Sequence, residues 1–337
     1  RTEGFKGDIM KILMTSVRED EKAAITAYAT RTQIDIVTSA GLLEDNLEKL
    51  TDVDGIVIQQ RSRLSDDVYA QLQAAGIKQI TTRTAGYDVI NLALAKEHDL
   101  KVTNVPAYSP RSVAEHALMQ IFRVLRKSYE VDRRVRENDY RWDGLQAQEI
   151  HSTTIGIIGV GRIGGTLAKL LHVLGARVLG FDINPRTELA DIVTYTSKEE
   201  LLRQADVVSL HVDLNDASTN LIQTADFEAM KPTAGIVNAS RGPVIDTAAL
   251  LHALEDGKIA AAALDTVTGE ETVFNADHRV DGLTEQPLID KLHQLPNVIL
   301  TPHIAFFTNI AVQNMVDIAL DDVRLIIAGE SSEHEIY

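Results

Sequence analysis

The stretch Thr154–Gly175, TIGIIGVGRIGGTLAKLLHVLG, decides how this chain folds. It opens on an apolar run, Ile155–Ile158, of strand length and rich in β-branched residues. It then passes through Gly159-Val160-Gly161-Arg162-Ile163-Gly164, a G-x-G-x-x-G turn. Beyond the turn, apolar residues recur at helical spacing: Ile163, Leu167, Leu170, Leu171 and Leu174. Strand, glycine turn and helix in that order begin a βαβ unit. The glycines have separate duties. Gly159 permits the tight turn, Gly161 lets the backbone approach a pyrophosphate, and Gly164 lets helix and strand pack closely. The helix N-terminus adds unpaired N–H groups and a dipole that favours phosphate.

Asp182 closes the next apolar run, ARVLGFD, 18 residues after Gly164. A carboxylate there accepts hydrogen bonds from adenosine ribose hydroxyls and repels a 2′-phosphate, which points to NAD rather than NADP. Arg186 lies close by and works against that preference.

Working outward, the second half of the chain has six strands at this rhythm: Ile155–Ile158, Arg177–Phe181, Val207–His211, Gly235–Asn238, Ala261–Leu264 and Val298–Leu300. Ser197-x-x-Glu200 has the pattern of a capping box opening one of the helices between them. The first half repeats the alternation, with strands at Lys11–Thr15, Asp35–Thr38, Gly55–Gln59, Ile80–Arg83 and Lys101–Asn104. Helical patterns cover Asp66–Ala75 and Val89–His98. Short apolar strands separated by helices form parallel sheets covered on both faces. The expected fold class is therefore α/β, with two doubly wound parallel-sheet domains. Pro106 and Pro110 break the chain between the two series, Arg111–Tyr129 reads as one long helix, and Asn309–Ile327 closes the chain as another.

Composition narrows the function. The 33 Lys+Arg against 49 Asp+Glu leave a formal charge of −16, which argues against a broad surface for nucleic acid or an anionic membrane. There is no cysteine, so disulfides, thiolate zinc sites and a cysteine nucleophile are excluded, and no metal is expected. No apolar run approaches the ~20 residues that span a bilayer, and the expected setting is cytoplasmic. Residues Arg1–Ile9 read as an extension ahead of a natural start at Met10.

Three apolar strands in the second half run into charged or imidazole chemistry. GIVNAS leads to Arg241, AAALD leads through TVTG to Glu270, and NVILTP leads to His303. Ligands of open α/β sheets sit beyond the carboxyl ends of the strands. Arginine grips a carboxylate with two parallel hydrogen bonds and polarises an adjacent carbonyl. Histidine gives or takes a proton near neutral pH. A glutamate bonded to that imidazole orients it and favours its charged form. With NAD beside them, the three can interconvert a 2-oxo acid and a 2-hydroxy acid. Each also has a plainer reading: a structural histidine, an arginine closing an ion pair, a solvated glutamate.

At these residues the chain resembles the D-isomer-specific 2-hydroxyacid dehydrogenases, especially the bacterial D-lactate and D-2-hydroxyisocaproate enzymes. The resemblance runs from Met10 onward and rests on NVPAYSP at Asn104–Pro110, GVGRIG at Gly159–Gly164, NASRGPVIDT at Asn238–Thr247, LDTVTGE at Leu264–Glu270 and TPHIAFFT at Thr301–Thr308. It implies a Rossmann cofactor domain, 107–302, inserted in a flavodoxin-like substrate domain, 10–106 with 303–337, and a homodimer through the helix that begins near Ser112. It further implies that Arg241 binds substrate, His303 is the acid/base and Glu270 its partner. Ala85 and Gly86 would cradle the substrate carboxylate with their N–H groups, and Tyr108 would reach the substrate. Ile58 and Phe306 would shape the space for its side chain. For NAD it implies Arg162 and Ile163 at the pyrophosphate, Asp182 at the ribose, Val212 and Asp213 on the adenosine wall, and Ala239, Ser240 and Asp265 near the nicotinamide. Asp213 replaces a proline that many relatives have there. Glycerate, phosphoglycerate and formate dehydrogenases share this architecture, as does an NAD-sensing corepressor.

Overall fold

The computed structural model describes residues 9–60, 62–280, 282–283 and 286–337. The expected extension, Ile9 apart, lies outside the described residues. The chain divides into two compact units, one running up to Ser109 and resuming at Phe307–Tyr337, the other Pro110–Phe306. The sequence placed these crossings slightly earlier, at Ala107 and Pro302. The difference assigns His303 and Phe306 to the unit that carries the glycine turn.

The first unit is built from β1 (Lys11–Met14), α1 (Lys22–Thr32), β2 (Asp35–Thr38), β3 (Gly55–Ile58), α2 (Asp66–Ala74), β4 (Gln79–Thr82), α3 (Leu92–Glu97) and β5 (Lys101–Thr103). Its strands are parallel in the order β2-β1-β3-β4-β5. Alternate side chains feed two cores. Leu13, Ile56, Ile58 and Ile80 meet Val68 and Leu72 of α2 on one face. Ile12, Met14 and Val57 meet Ile25 and Tyr28 of α1 on the other. The helix expected over Val89–His98 is shorter because the Asn91 side chain caps it, accepting from Ala93 and Leu94 N–H.

The second unit runs through α4 (Pro110–Leu125), α5 (Ser128–Arg136), β6 (Thr154–Ile158), α6 (Arg162–Val173), β7 (Arg177–Phe181), β8 (Thr194–Tyr195), α7 (Lys198–Gln204), β9 (Val207–Leu210), α8 (Thr224–Ala229), β10 (Gly235–Asn238), α9 (Thr247–Glu255), β11 (Ala261–Leu264), α10 (Pro287–Gln294) and β12 (Val298–Leu300). Seven parallel strands lie in the order β12-β11-β10-β9-β6-β7-β8. Two cores again cover the sheet. The chain then returns to the first unit in α11 (Asn309–Ile327). There Val312, Val316, Leu320 and Val323 join the core of β1 and β3, each buried side chain contributing about 1.5–3 kcal/mol.

Three expectations are corrected. The single helix Arg111–Tyr129 is two, because Lys127 turns left-handed at φ +52° and ends the first. β8 is a seventh strand of two residues, too short for any periodicity to reveal. Thr15, Gln59, Arg83 and His211, read as strand, lie just past strand ends. That difference matters, since the residues beyond the ladder are the ones free to meet ligands. At α7 the Ser197 side chain accepts from Glu200 N–H at 3.2 Å, the forward half of the expected box. Among the described residues no helix is long and apolar enough to cross a membrane.

Candidate active site

The glycine turn leaves β6 as its sequence requires. Gly159 adopts φ +90°, and a Cβ there would lie 2.5 Å from the His211 carbonyl oxygen. A Cβ on Gly164 would lie 2.0 Å from the Gly159 carbonyl oxygen, so turn and helix touch backbone to backbone. Gly161 differs: a Cβ there would meet nothing within 4 Å. Its bareness serves no contact inside the chain and leaves open space beside the start of α6. No side chain caps that helix, and its first bond runs from Gly165 N–H to the Gly161 carbonyl at 2.9 Å. The N–H groups of Arg162 and Ile163 are orphans of helix geometry, available to phosphate oxygens.

Asp182 stands beside this turn, accepting from Val160 N–H at 2.6 Å and Asn184 N–H at 2.8 Å. Arg186 reaches across to the Gly161 carbonyl at 3.1 Å and to Glu188 at 2.8 Å. Val212 is half-buried against Gly159, whereas Asp213 is exposed. Ala239 and Ser240 are buried just past β10, and the Ser240 hydroxyl donates to Asn238 Oδ1 at 2.8 Å. A bare turn, an uncapped helix start and a fixed carboxylate at the next strand end fit a dinucleotide.

Arg241, Glu270 and His303 follow β10, β11 and β12, which are neighbours in the sheet. Gly242 brings the first two loops together, since a Cβ there would lie 2.3 Å from the Val267 carbonyl carbon. Arg241 donates from Nη1 to the Ser240 carbonyl at 2.8 Å, and the residue is exposed. Glu270 Oε2 accepts from Val267 N–H at 2.7 Å, and Oε1 lies 2.5 Å from His303 Nδ1. With Nδ1 engaged, Nε2 is the nitrogen presented for proton transfer. The imidazole is 40% exposed, so solvent and small molecules reach it. The Phe306 ring stands edge-on to it, 6.4 Å between centroids at 80°.

His303 takes φ +53°, uncommon for a residue with a Cβ. Asp265 holds it there. The Asp265 carbonyl accepts from His303 N–H at 2.9 Å. Its carboxylate accepts from the Thr301 hydroxyl at 2.6 Å, Ile304 N–H at 3.1 Å and Ala305 N–H at 2.9 Å. Asp265 is thus a buckle for the loop that carries the histidine.

Four of the expected residues sit in the first unit. After β4, the Thr84 carbonyl accepts from Val105 N–H at 3.0 Å, that of Ala85 from Asn104 Nδ2 at 2.6 Å, and that of Gly86 from the Thr84 hydroxyl at 2.7 Å. Among the described residues, the N–H groups of Ala85 and Gly86 meet no protein acceptor. Bound carbonyls with free N–H groups make an anion cradle. Tyr108 is half-buried, its carbonyl held by Asn314 Nδ2 at 2.6 Å. Ile58 is fully enclosed in the core with Leu43 and Leu64.

Other polar residues belong to the site without having been singled out. His116 of α4 places Nε2 3.2 Å from the Thr301 hydroxyl and 3.4 Å from Asp265 Oδ1. Burial holds its pKa below the ordinary value, with Asp265 pulling the other way. Gln120 joins the cluster at 3.3 Å from Thr301. The available signal was a polar pair one turn apart on an apolar helix face. His211 is half-buried with its ring enclosed, Nε2 2.8 Å from the Ser209 hydroxyl, and desolvation of the ring pushes its pKa down to about 4.

Comparison with known proteins gives the family. The family description "D-isomer specific 2-hydroxyacid dehydrogenase, NAD binding domain" matches residues 118–305. The D-2-hydroxyacid dehydrogenase (NAD(+)) of Clostridioides difficile is 42% identical over 330 residues, 96% of this chain and 99% of that protein. A solved D-lactate dehydrogenase from Sporolactobacillus is 52% identical with a TM-score of 0.92, over 97% of this chain and 99% of that one. A solved D-2-hydroxyisocaproate dehydrogenase is 34% identical with a TM-score of 0.92, over the same shares. The chain belongs to the D-isomer-specific 2-hydroxyacid dehydrogenases. It is an NAD-dependent oxidoreductase acting on the CH–OH group of 2-hydroxy acids.

Proposed function

We propose that this enzyme reduces pyruvate and larger or branched 2-oxo acids to the D-2-hydroxy acids, with Arg241, Glu270 and His303 carrying the step. The bond between Glu270 Oε1 and His303 Nδ1 at 2.5 Å is the observation that supports it most. NADH, when bound, supplies hydride to C2 of the acid. Arg241 takes the carboxylate and polarises the carbonyl. The N–H groups of Ala85 and Gly86 form an anion cradle suited to a carboxylate. His303 protonates the carbonyl oxygen through Nε2, and Glu270 keeps the ring oriented through Nδ1. Asp265 acts through the loop it buckles.

Substrate width goes with the names of the relatives, one a D-lactate and one a D-2-hydroxyisocaproate enzyme. A methylene in an apolar pocket discriminates by only ~1–3 kcal/mol, so preference is graded rather than absolute. A homodimer is part of the proposal, supported by the exposed apolar side chains Met119, Val131, Val135, Tyr140 and Trp142 on and after α4 and α5. A cytoplasmic setting, which supplies NADH, completes it.

The test is NADH oxidation with pyruvate, 2-oxoisocaproate, phenylpyruvate, oxaloacetate and hydroxypyruvate, followed by chiral analysis of the products. Turnover of the first three to D products is expected. Activity confined to hydroxypyruvate would replace the reading with a glycerate-type enzyme. NADH binding without any turnover would make the chain a sensor of NAD.

A further inference from the structure

The end of β4 holds a charge where a core side chain would be expected. Arg83 is fully buried and Glu21 is 1% exposed. Arg83 Nε and Nη2 donate to Glu21 Oε1 and Oε2 at 2.7 and 3.0 Å, a two-pronged pair. Nη1 donates to the Thr15 carbonyl at 3.0 Å, and Nη2 also donates to that of Ser16 at 2.9 Å. The Arg83 N–H donates to the Ile58 carbonyl at 3.1 Å. One guanidinium therefore fastens β4 to the turn after β1 and to the residue that leads into α1. Glu21 is fixed in turn by accepting from Arg18 N–H at 2.8 Å.

A buried ion pair is a poor source of stability, because an apolar pair of similar volume commonly does as well. Its distinctive property is direction. The guanidinium is a rigid plane with donors at set angles, so it fixes the backbone segments it touches relative to one another. Immediately after Arg83 comes Thr84-Ala85-Gly86, whose carbonyls are all bound and whose Ala85 and Gly86 N–H groups meet no protein acceptor among the described residues. Those N–H groups must point the right way to receive a carboxylate, and the loop's base is the residue locked by four side-chain bonds.

We propose that Arg83, locked by Glu21, is the positioning residue of the carboxylate cradle: it aims the Ala85 and Gly86 N–H groups without touching substrate. This rests on the reading of that loop as the holder of the 2-oxo acid carboxylate. Two variants test it. Arg83→Lys keeps the charge and loses the fork. The double variant Arg83→Met with Glu21→Leu removes both charges and keeps the volume. For each, the measurements are kcat and KM for pyruvate, the inhibition constant of oxamate (a non-reducible isostere of pyruvate), the Kd of NADH and the Tm. The expected result is a rise of about tenfold or more in pyruvate KM and oxamate inhibition constant together, NADH Kd within about twofold, and a smaller change in kcat. A folded double variant with an unchanged KM and inhibition constant would overturn the proposal and leave the pair purely structural. If the double variant does not fold, Arg83→Lys decides alone, and an unchanged pyruvate KM overturns the proposal. A wild-type protein that neither reduces pyruvate nor binds oxamate defeats the underlying reading instead, and this inference with it.

Discussion

In both units the strand order reverses at the first strand, at β1 between β2 and β3 in one and at β6 between β7 and β9 in the other. The crevice beyond such a reversal is where open α/β sheets take ligands. The turn leaving β6 is glycine-built, with open space at Gly161 and an uncapped helix behind it. The turn leaving β1, Thr15-Ser16-Val17-Arg18, has no glycine. Ser16 bears the left-handed conformation itself at φ +54°, and the Arg83 guanidinium occupies the carbonyls of Thr15 and Ser16. The first turn has bare space at Gly161 beside an uncapped helix start, and Arg186 on its Gly161 carbonyl; the second carries side chains throughout and has Arg83 on two of its carbonyls. In the first unit, N–H groups that meet no protein acceptor among the described residues stand instead after β4, at Ala85 and Gly86, where they suit a carboxylate. Shared topology thus offers two places, and a few side chains decide what each accepts.

Four measurements test this contrast. The largest effect is expected from His303→Gln, which should lower the single-turnover reduction rate by roughly 10²–10⁴ while NADH still binds. Near-normal turnover would remove His303 from the acid/base role. Next comes Gly164→Val, which sets a side chain against the Gly159 carbonyl and should cost about 3 kcal/mol in urea unfolding. The matching change in the first unit, Ser16→Gly, should shift stability by less than about 1 kcal/mol, because glycine accepts that φ. Equal costs would erase the distinction between the two turns.

The third measurement concerns acid. His211 is neutral in the folded state because burial lowers its pKa from 6.5 to about 4. Below 6.5 the unfolded chain binds a proton there that the folded chain refuses, so stability falls as pH drops from 6.5 towards about 4. The loss amounts to at most about 3 kcal/mol, and His211→Gln should flatten that part of a urea-midpoint profile. A profile unchanged in slope would show that the ring does not titrate this way. The smallest effect is expected at Gly161, where Gly161→Val should leave the Tm close to wild type yet weaken NADH by about tenfold. A folding defect with normal NADH affinity would mean that the open space is not the cofactor's.

Much of the site was legible because its signals are local. Gly159 and Gly164 are dictated by contacts within one strand-turn-helix, and the spacing of a single βαβ unit reveals them. Arg241, Glu270 and His303 were found as charges at strand ends, and the family motifs joined them. The kink at Lys127 and the strand at Thr194–Tyr195 left no periodic trace. His116 and Gln120 carry no local signal, because their partners Asp265 and Thr301 are far away in sequence. Arg83 reads in sequence as the end of a strand, since nothing near it announces Glu21.

By itself the sequence determined the alternation of strands and helices, the phosphate turn and the chemical types at the strand ends, all of which depend on neighbours within a turn or two. Only the tertiary structure decided which of those groups are partnered. It set Glu270 on His303 Nδ1, spent the Asp265 carboxylate on the loop around that histidine, and closed the β1 turn with Arg83. The reason is that a hydrogen bond between residues dozens of positions apart exists only once the sheet has fixed its strand order, and residue spacing carries no record of it.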